Sequence, residues 1–329
     1  MATTFKQKVL LLGATGETGK SILQGLLEDK DSFDVQILVR PASAGKPQVK
    51  ALAERGTTLR IADIQGPIES LVDALTGVDV LISAIDFANT LAQINLAAAA
   101  KKAGVKRFVP CSFTTVVPPG GVMSIRDTKE EVNQHIRKLY LPYTIVDVGY
   151  WYQLSFPTLP SGRVDYASLF KTKFDIHNGG STPTMITDLR DIGRFVALII
   201  KDQRTMNKSV FAYGDFLSEN EIFDIMETLS GENIERKYIS ADGMAAQRAR
   251  AAAALKADPD NFHAHVGKSK VDYEYSKYVR GDNTPEYARY LGYLDARELY
   301  PDFRPKRFRE FAQELLDGKL EKPYGQWVV

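Results

Sequence analysis

Short apolar runs punctuate the first half of the chain at residues 9–12, 35–39, 59–62 and 78–85. They are continuous rather than alternating, which is the pattern of parallel strands buried on both faces. Helical periodicity fills the gaps between them. Ile22, Leu23, Leu26 and Leu27 recur on one face, residues 68–75 form a second helical stretch, and an alanine-rich helix is expected from Leu91 to Ala103, ending at Gly104. Two further strands follow at residues 107–111 and 143–148. Six strands alternating with helices predict an α/β chain built on a doubly wound (Rossmann) parallel sheet.

The pattern changes after residue 150. Tyr150, Trp151, Tyr152, Phe156, Tyr166 and Phe170 crowd together around Pro157 and Pro160. Residues 188–200 form an amphipathic helix through Ile192, Phe195, Val196 and Ile199, and Ser218 with Glu221 makes a capping box for another helix reaching Leu229. The alanine- and arginine-rich residues 244–256 form a helix without a wide apolar face. The expected division is a dinucleotide-binding domain at 1–154 and a mainly substrate-binding α/β domain at 155–329. Some segments of the second are expected to return to the first sheet.

The first strand runs into Gly13, Gly16 and Gly19, with Thr15, Glu17 and Thr18 between them and a helical pattern behind. Such a strand–turn–helix lets backbone approach a pyrophosphate, with helix N–H groups aimed at the anion. Arg40 closes the second strand 21 residues beyond Gly19, where an NAD-binding fold carries an acid for the ribose 2′-hydroxyl. A guanidinium there suits a 2′-phosphate, and Lys46 adds positive charge in the loop that follows. NADPH is therefore the expected cofactor. Ligands bind outside the carboxyl ends of parallel strands. That rule adds Asp63, Ser83, Ala84, Ile85 and Cys111, with Phe113 just beyond, to the expected cofactor contacts.

Thr128 and Glu131 read as a capping box that starts a helix at Lys129, with Val132, Ile136 and Leu139 as its inward stripe. Lys129 falls on that stripe. Burial and a helix N-terminus both favour a neutral amine, while Asp127, Glu130 and Glu131 oppose this. Spacing alone leaves a proton-transfer group and a snorkelling or ion-paired lysine equally open. The aromatics Tyr150, Trp151, Tyr152, Phe156 and Phe170, with Phe87, Phe113 and Met123, line an apolar pocket or fill a core; the two use the same side chains.

Composition narrows the field. Hydrophobic residues make up 44% and charged residues 25% of the 329 positions, as in ordinary globular proteins. A net charge of +1 without a basic block gives no reason to expect a nucleic-acid or membrane partner. No apolar stretch approaches the ~18 residues of a membrane span. The first strand begins too near Met1 to leave room for a signal peptide, and the single Cys111 fits a reducing compartment. A cytoplasmic location is expected, as a monomer or homodimer. His263 and His265, near Asp258 and Asp260, read as a surface loop rather than a metal site. Tyr273 and Lys277 have the Tyr-x-x-x-Lys spacing of short-chain dehydrogenases. They stand far past the fifth strand in sequence and read as a chance match. No Gly-x-Ser-x-Gly turn supports a nucleophilic triad.

Taken together, the glycine turn 13–19, Leu38-Val39-Arg40, residues 106–110 as Lys-Arg-Phe-Val-Pro, Asp127-Thr128-Lys129, Leu141-Pro142-Tyr143-Thr144 before Val148-Gly149, and Asp191-Ile192-Gly193 resemble one family. It is the NmrA-like, isoflavone-reductase-like branch of the atypical short-chain dehydrogenases, and residues 278–283 resemble its fungal members. The resemblance implies an NADPH-dependent reductase of an aromatic or polyketide-like molecule (an enone, quinone or quinone methide), with Lys129 as general acid/base. The alternative within the same resemblance is a non-catalytic NADP(H)-sensing regulator that binds a protein, although the inward Lys129 and the aromatic-rich second half lean toward the enzyme. An epimerase or dehydratase acting on a nucleotide sugar would need a tyrosine–lysine pair after the fifth strand, which is lacking there. The chain departs from the family at one place. After Pro110 the family commonly has a small residue, an acid, Phe and Gly, whereas this chain has Cys111, Ser112, Phe113 and Thr114.

Overall fold

The computed structural model describes residues 6–169 and 175–325; Phe170 lies outside them. Its centre is β1 (Gln7–Leu12), flanked in a five-stranded parallel sheet by β2 (Phe33–Val39), β3 (Thr58–Ile61), β4 (Val80–Ser83) and β5 (Arg107–Val109) in the order β3-β2-β1-β4-β5. Val9 pairs with Val35 on one side and Val80 on the other. The period of two along β1 divides two cores. Val9 and Leu11 face one with Ile22 and Phe195, and Leu10 and Leu12 face the other with Leu71, Leu96 and Phe108. This is the doubly wound arrangement that continuous apolar strands predict.

Helices cover both faces: α1 (Glu17–Glu28), α2 (Pro47–Glu54), α3 (Ile68–Leu75), α4 (Gln93–Lys102), α5 (Ser124–Lys138) and, much later, α6 (Leu189–Lys201). Helix α6 is capped by Asp188 and packs directly on α1. The approach is close because both helices carry glycine at the crossing. A Cβ on Gly193 would fall 1.8 Å from Ser21 O, and the Gly193 N–H donates to Ser21 Oγ at 2.9 Å.

Two local expectations are corrected. The sixth strand, β6 (Thr144–Asp147), lies beside β5 but shares with it one isolated bridge, Phe108–Tyr143, rather than a ladder, and pairs instead with the strand Lys208–Phe211, itself followed by Leu294–Asp295. The β5 ladder stops after Val109 because Pro110 has no N–H to donate. Helix α5 begins at Ser124, five residues before the expected start at Lys129. Thr128 does not cap it; its hydroxyl donates back to Ser124 O at 3.2 Å. The Asp127 carboxylate, in the first turn, instead receives the Gly120 and Gly121 N–H groups at 2.7 and 2.9 Å.

The second half adds α7 (Glu219–Ser230), entered through the Ser218–Glu221 capping box, then α8 (Ala241–Ala257) and α9 (Phe262–Glu274). Helix α8 buries only Met244, in keeping with its lack of an apolar face. Helix α9 continues into a π-helical turn, Tyr275–Arg280, closed by left-handed Gly281. His263 and His265 lie exposed on α9 rather than on a loop, and no metal-holding cluster occurs among the described residues. No helix among the described residues is long and apolar enough to cross a membrane.

Candidate active site

The glycine turn closes at van der Waals limits. A Cβ on Gly13, whose φ is +85°, would meet Ala84 O at 2.3 Å, and one on Gly19 would meet Gly13 O at 1.9 Å. Gly16 caps α1 with no side-chain bond, so the first-turn N–H groups are left to face an anion. Thr15 is exposed, Thr18 half-buried, and the Glu17 carboxylate is held by Lys20 at 3.2 Å. Around this turn stand the carboxyl ends of β1 to β4, at the point where strand order reverses from β1 to β4. Ser83 is buried with no partner for its hydroxyl among the described residues, while the Ala84 N–H donates to Leu12 O. Arg40 follows β2 with its guanidinium exposed, and Lys46 sits exposed at the start of α2. The Asp63 carboxylate turns back to accept the Gln65 N–H at 3.0 Å. A cradle that only glycine permits, an uncapped helix start and a guanidinium without a partner among the described residues fit a dinucleotide carrying a 2′-phosphate.

Lys129 is 7% exposed despite its charge and shares the inner face of α5 with Val132 and Ile136. Its Nζ donates to Cys111 O at 2.5 Å and lies 3.8 Å from Cys111 Sγ. Cys111 is itself fixed, its N–H donating to Gln93 Oε1 and its thiol to Ile85 O. The lysine, the carboxyl end of β5 and the residue after β4 are therefore one contact group. Phe113 reaches the same edge with φ +35°, held by its N–H to Val146 O. Three residues before Lys129, fully buried Arg126 pairs with Asp147 at 2.7 Å, and Tyr293 donates to the same carboxylate. This anchor ties α5 to the end of β6.

The aromatic residues separate into core and wall. Tyr152 and Phe156 pack with Phe308 and Phe311 in a buried cluster, the Tyr152 hydroxyl donating to Lys306 O, so they belong to the core. Met123 is completely buried at the start of α5. Tyr150 instead faces Tyr273 of α9, their rings 5.6 Å apart. The Tyr273 hydroxyl lies 2.5 Å from Thr114 Oγ1. Tyr273, remote in sequence, thus returns to the segment after β5, and it meets a hydroxyl where the resembling family commonly has glycine. Phe87 stacks on Phe262 at the start of α9, and Trp151 stacks on Tyr324 of the C-terminal segment. Burial pushes the Tyr324 hydroxyl well up, with the charges of Glu17, Tyr273 and Cys111 adding to the rise. Buried Asp272 joins α9 to α5, accepting from Ser124 N and Oγ at 3.3 Å and from Arg248 Nε at 2.9 Å. The sequence marks Thr114 only as part of the departure from the family after Pro110, sets Tyr273 aside as a chance match and gives no signal for Tyr324.

The chain is 42% identical over 320 residues to asnovolin J 5′,6′-dehydrogenase of Aspergillus novofumigatus, covering 97% of this chain and 98% of that protein. It is similar in structure to the leucoanthocyanidin reductase–NADPH complex of Vitis vinifera, with a TM-score of 0.78, 22% identity, and coverage of 94% of this chain and 99% of that one. A solved structure holding NADP+ and (+)-pinoresinol gives a TM-score of 0.73 at 25% identity, with the same coverage of both chains. Residues 5–281 match the NmrA-like family, and the chain belongs to it.

Proposed function

We propose that the chain is an NADPH-dependent oxidoreductase of an aromatic or polyketide-like small molecule, reducing an enone, quinone or quinone methide. The observation that carries this reading is the buried Lys129 ammonium, held at 2.5 Å on Cys111 O at the carboxyl edge of the sheet. The glycine turn takes the pyrophosphate, and Arg40 with Lys46 takes the 2′-phosphate. Ser83, Ala84, Ile85, Cys111 and Phe113 line the remainder of the cofactor's path. Bound there, NADPH supplies the hydride. Cys111 O occupies one of the three Lys129 N–H donors, leaving two for a substrate oxygen. As negative charge grows on that oxygen, the ammonium stabilises it and delivers a proton, directly or through a water. Tyr150 and Tyr273, with Phe87 and Trp151, bound the space over this edge. In the same reading residues 1–154 serve the cofactor and residues 155–329 mainly the substrate, with α6 and the strand Lys208–Phe211 returning to the first part.

The direction of reaction is a matter of which substrate is offered. A relative at 42% identity is named a dehydrogenase, and in that sense Lys129 would accept the proton that it otherwise gives. The test follows NADPH consumption and NADP+ reduction with a panel of aryl enones, quinones and carbonyls and their reduced forms, for wild type and Lys129→Ala. The variant should lose ~10²–10⁴-fold in kcat/KM with NADPH affinity unchanged. Wild-type kcat/KM in the variant refutes the role of Lys129. NADPH binding without turnover of any member returns the chain to the non-catalytic, protein-binding reading.

A further inference from the structure

On the far side of the Tyr150 ring lies a cleft that the proposed chemistry does not use. Tyr150, His177, Glu219, Glu274, Lys277 and Tyr278 line it. Lys277, on the π-helical turn after α9, is 2% exposed. Its Nζ stands 3.4 Å from the centre of the Tyr150 ring and 4.5 Å from that of Tyr278. Among the described residues its only hydrogen bond goes to Tyr278 Oη, at 3.3 Å, and it forms no ion pair. The two carboxylates in the cleft are engaged elsewhere. Glu219 accepts from His177 N at 2.7 Å and lies 2.8 Å from its Nδ1, while Glu274 stands 3.7 Å from His177 Nε2 and 3.8 Å from Lys270. Burial correspondingly lowers the Lys277 amine to about 8, with Lys270 adding to the fall and Glu219 and Glu274 opposing it. The result is a buried cation, still mostly protonated at neutral pH, whose other contacts among the described residues are the faces of the Tyr150 and Tyr278 rings. A desolvated charge in that condition is expensive unless a ligand completes it. Half-exposed Lys270 contributes a second positive charge at the rim.

We propose that Lys277 binds an acidic oxygen of the substrate, a carboxylate or acidic phenol on an aromatic body, within this cleft. The inference rests on the oxidoreductase reading in naming this ligand a substrate. The ring pair Tyr150–Tyr273 stands between this cleft and the carboxyl edge of the sheet: Tyr273 reaches Thr114 after β5, and Tyr150 carries the Lys277 ammonium on its ring. Aromatic faces beside a buried cation suit the oxygen of an aryl acid. Lys277 is accordingly a specificity residue, separate from the proton transfer.

The test uses the full chain saturated with NADPH at pH 7 and compares calorimetric binding of trans-cinnamate with that of methyl trans-cinnamate, which lacks the acid. Wild type should favour cinnamate by ~10-fold or more, the range of a charge-assisted hydrogen bond. Lys277→Met should bring the ratio to near one, and Lys277→Arg should keep a preference. Lys277→Gln replaces the methionine variant if that does not fold. A ratio near one in wild type, or an unchanged ratio in Lys277→Met, overturns the proposal. NADPH titrations in the same samples keep the two readings apart. If NADPH fails to bind, the oxidoreductase reading falls, while the cinnamate ratio still decides the role of Lys277.

Discussion

Replacing Lys277 by methionine should make the protein more stable, and the size of the effect can be worked out from the site. Its amine falls from an ordinary 10.5 to about 8 on burial. At ~1.4 kcal/mol for each pKa unit, the folded state carries roughly 3 kcal/mol against the charged form below pH 8. Methionine matches the stem without the charge. The loss of the ammonium's attraction to the Tyr150 ring offsets ~0.5–2 kcal/mol, so the net gain at pH 7 is roughly 1–3 kcal/mol. For a chain of 329 residues that raises Tm by roughly 1–4 °C.

The pH dependence supplies a signature that a simple packing change would not give. Because the folded pKa lies below the unfolded one, the unfolded chain binds more protons between pH 8 and 10.5. Wild-type stability should therefore rise with pH across the lower part of that window. Above pH 10 the trend reverses, since burial holds the Tyr150 and Tyr278 hydroxyls protonated in the fold while the unfolded chain releases them. Scanning calorimetry of wild type and Lys277→Met from pH 7 to 9.5 reads both effects. The difference in Tm should be largest at pH 7 and shrink toward pH 9.5. A variant less stable at pH 7, or one with a wild-type pH slope, refutes the description of Lys277 as a buried and poorly compensated cation.

Two further outcomes follow from the cofactor half. Arg40→Ala should weaken NADPH binding about ten- to a hundredfold, the value of charge-assisted bonds to a phosphate, and leave NADH binding unchanged in fluorescence titrations; equal affinities in wild type would remove the assignment. Gly193→Ala forces a Cβ to 1.8 Å from Ser21 O between α6 and α1 and should lower stability by ~1–3 kcal/mol in urea unfolding. Gly45→Ala, with nothing within 4 Å of the added atom, is the neutral control.

What the sequence makes legible follows from the range of each signal. Continuous apolar runs and the glycine turn are local, and they place β1, α1 and the carboxyl edge correctly. The inward position of Lys129 is also a local matter, because Val132 and Ile136 share its stripe. The helix start was misplaced because Thr128 and Glu131 have the letters of a capping box, whereas Asp127 bonds Gly120 and Gly121 and the helix is already under way. Tyr150 and Tyr152 read alike in sequence, yet the extended strand ends at Trp151 and the 3-10 turn Tyr152–Leu154 swings Tyr152 into the Phe308–Phe311 cluster. No periodicity reports the contact between Thr114 and Tyr273, which are 159 residues apart.

That long-range contact bears on how one cofactor platform can accept different substrates. The cofactor edge is built from strands whose side chains fill two cores, so changes there disturb the sheet. Helices α8 and α9 are different: they bury only Met244 and Asp272 within their own length. Asp272 fastens α9 to the first residue of α5, and Arg248 of α8 to the same carboxylate. The wall bearing Tyr273 is therefore registered on the helix of Lys129 by a buried polar joint rather than by a shared apolar core. Most positions on α8 and α9 can change without opening a cavity beneath them, while the joint keeps Tyr273 in place beside Thr114. On this argument substrate preference should respond to exchanges on α9 and the turn after it, at Tyr273 and Lys277 above all. NADPH affinity should respond to Arg40 and the glycine turn.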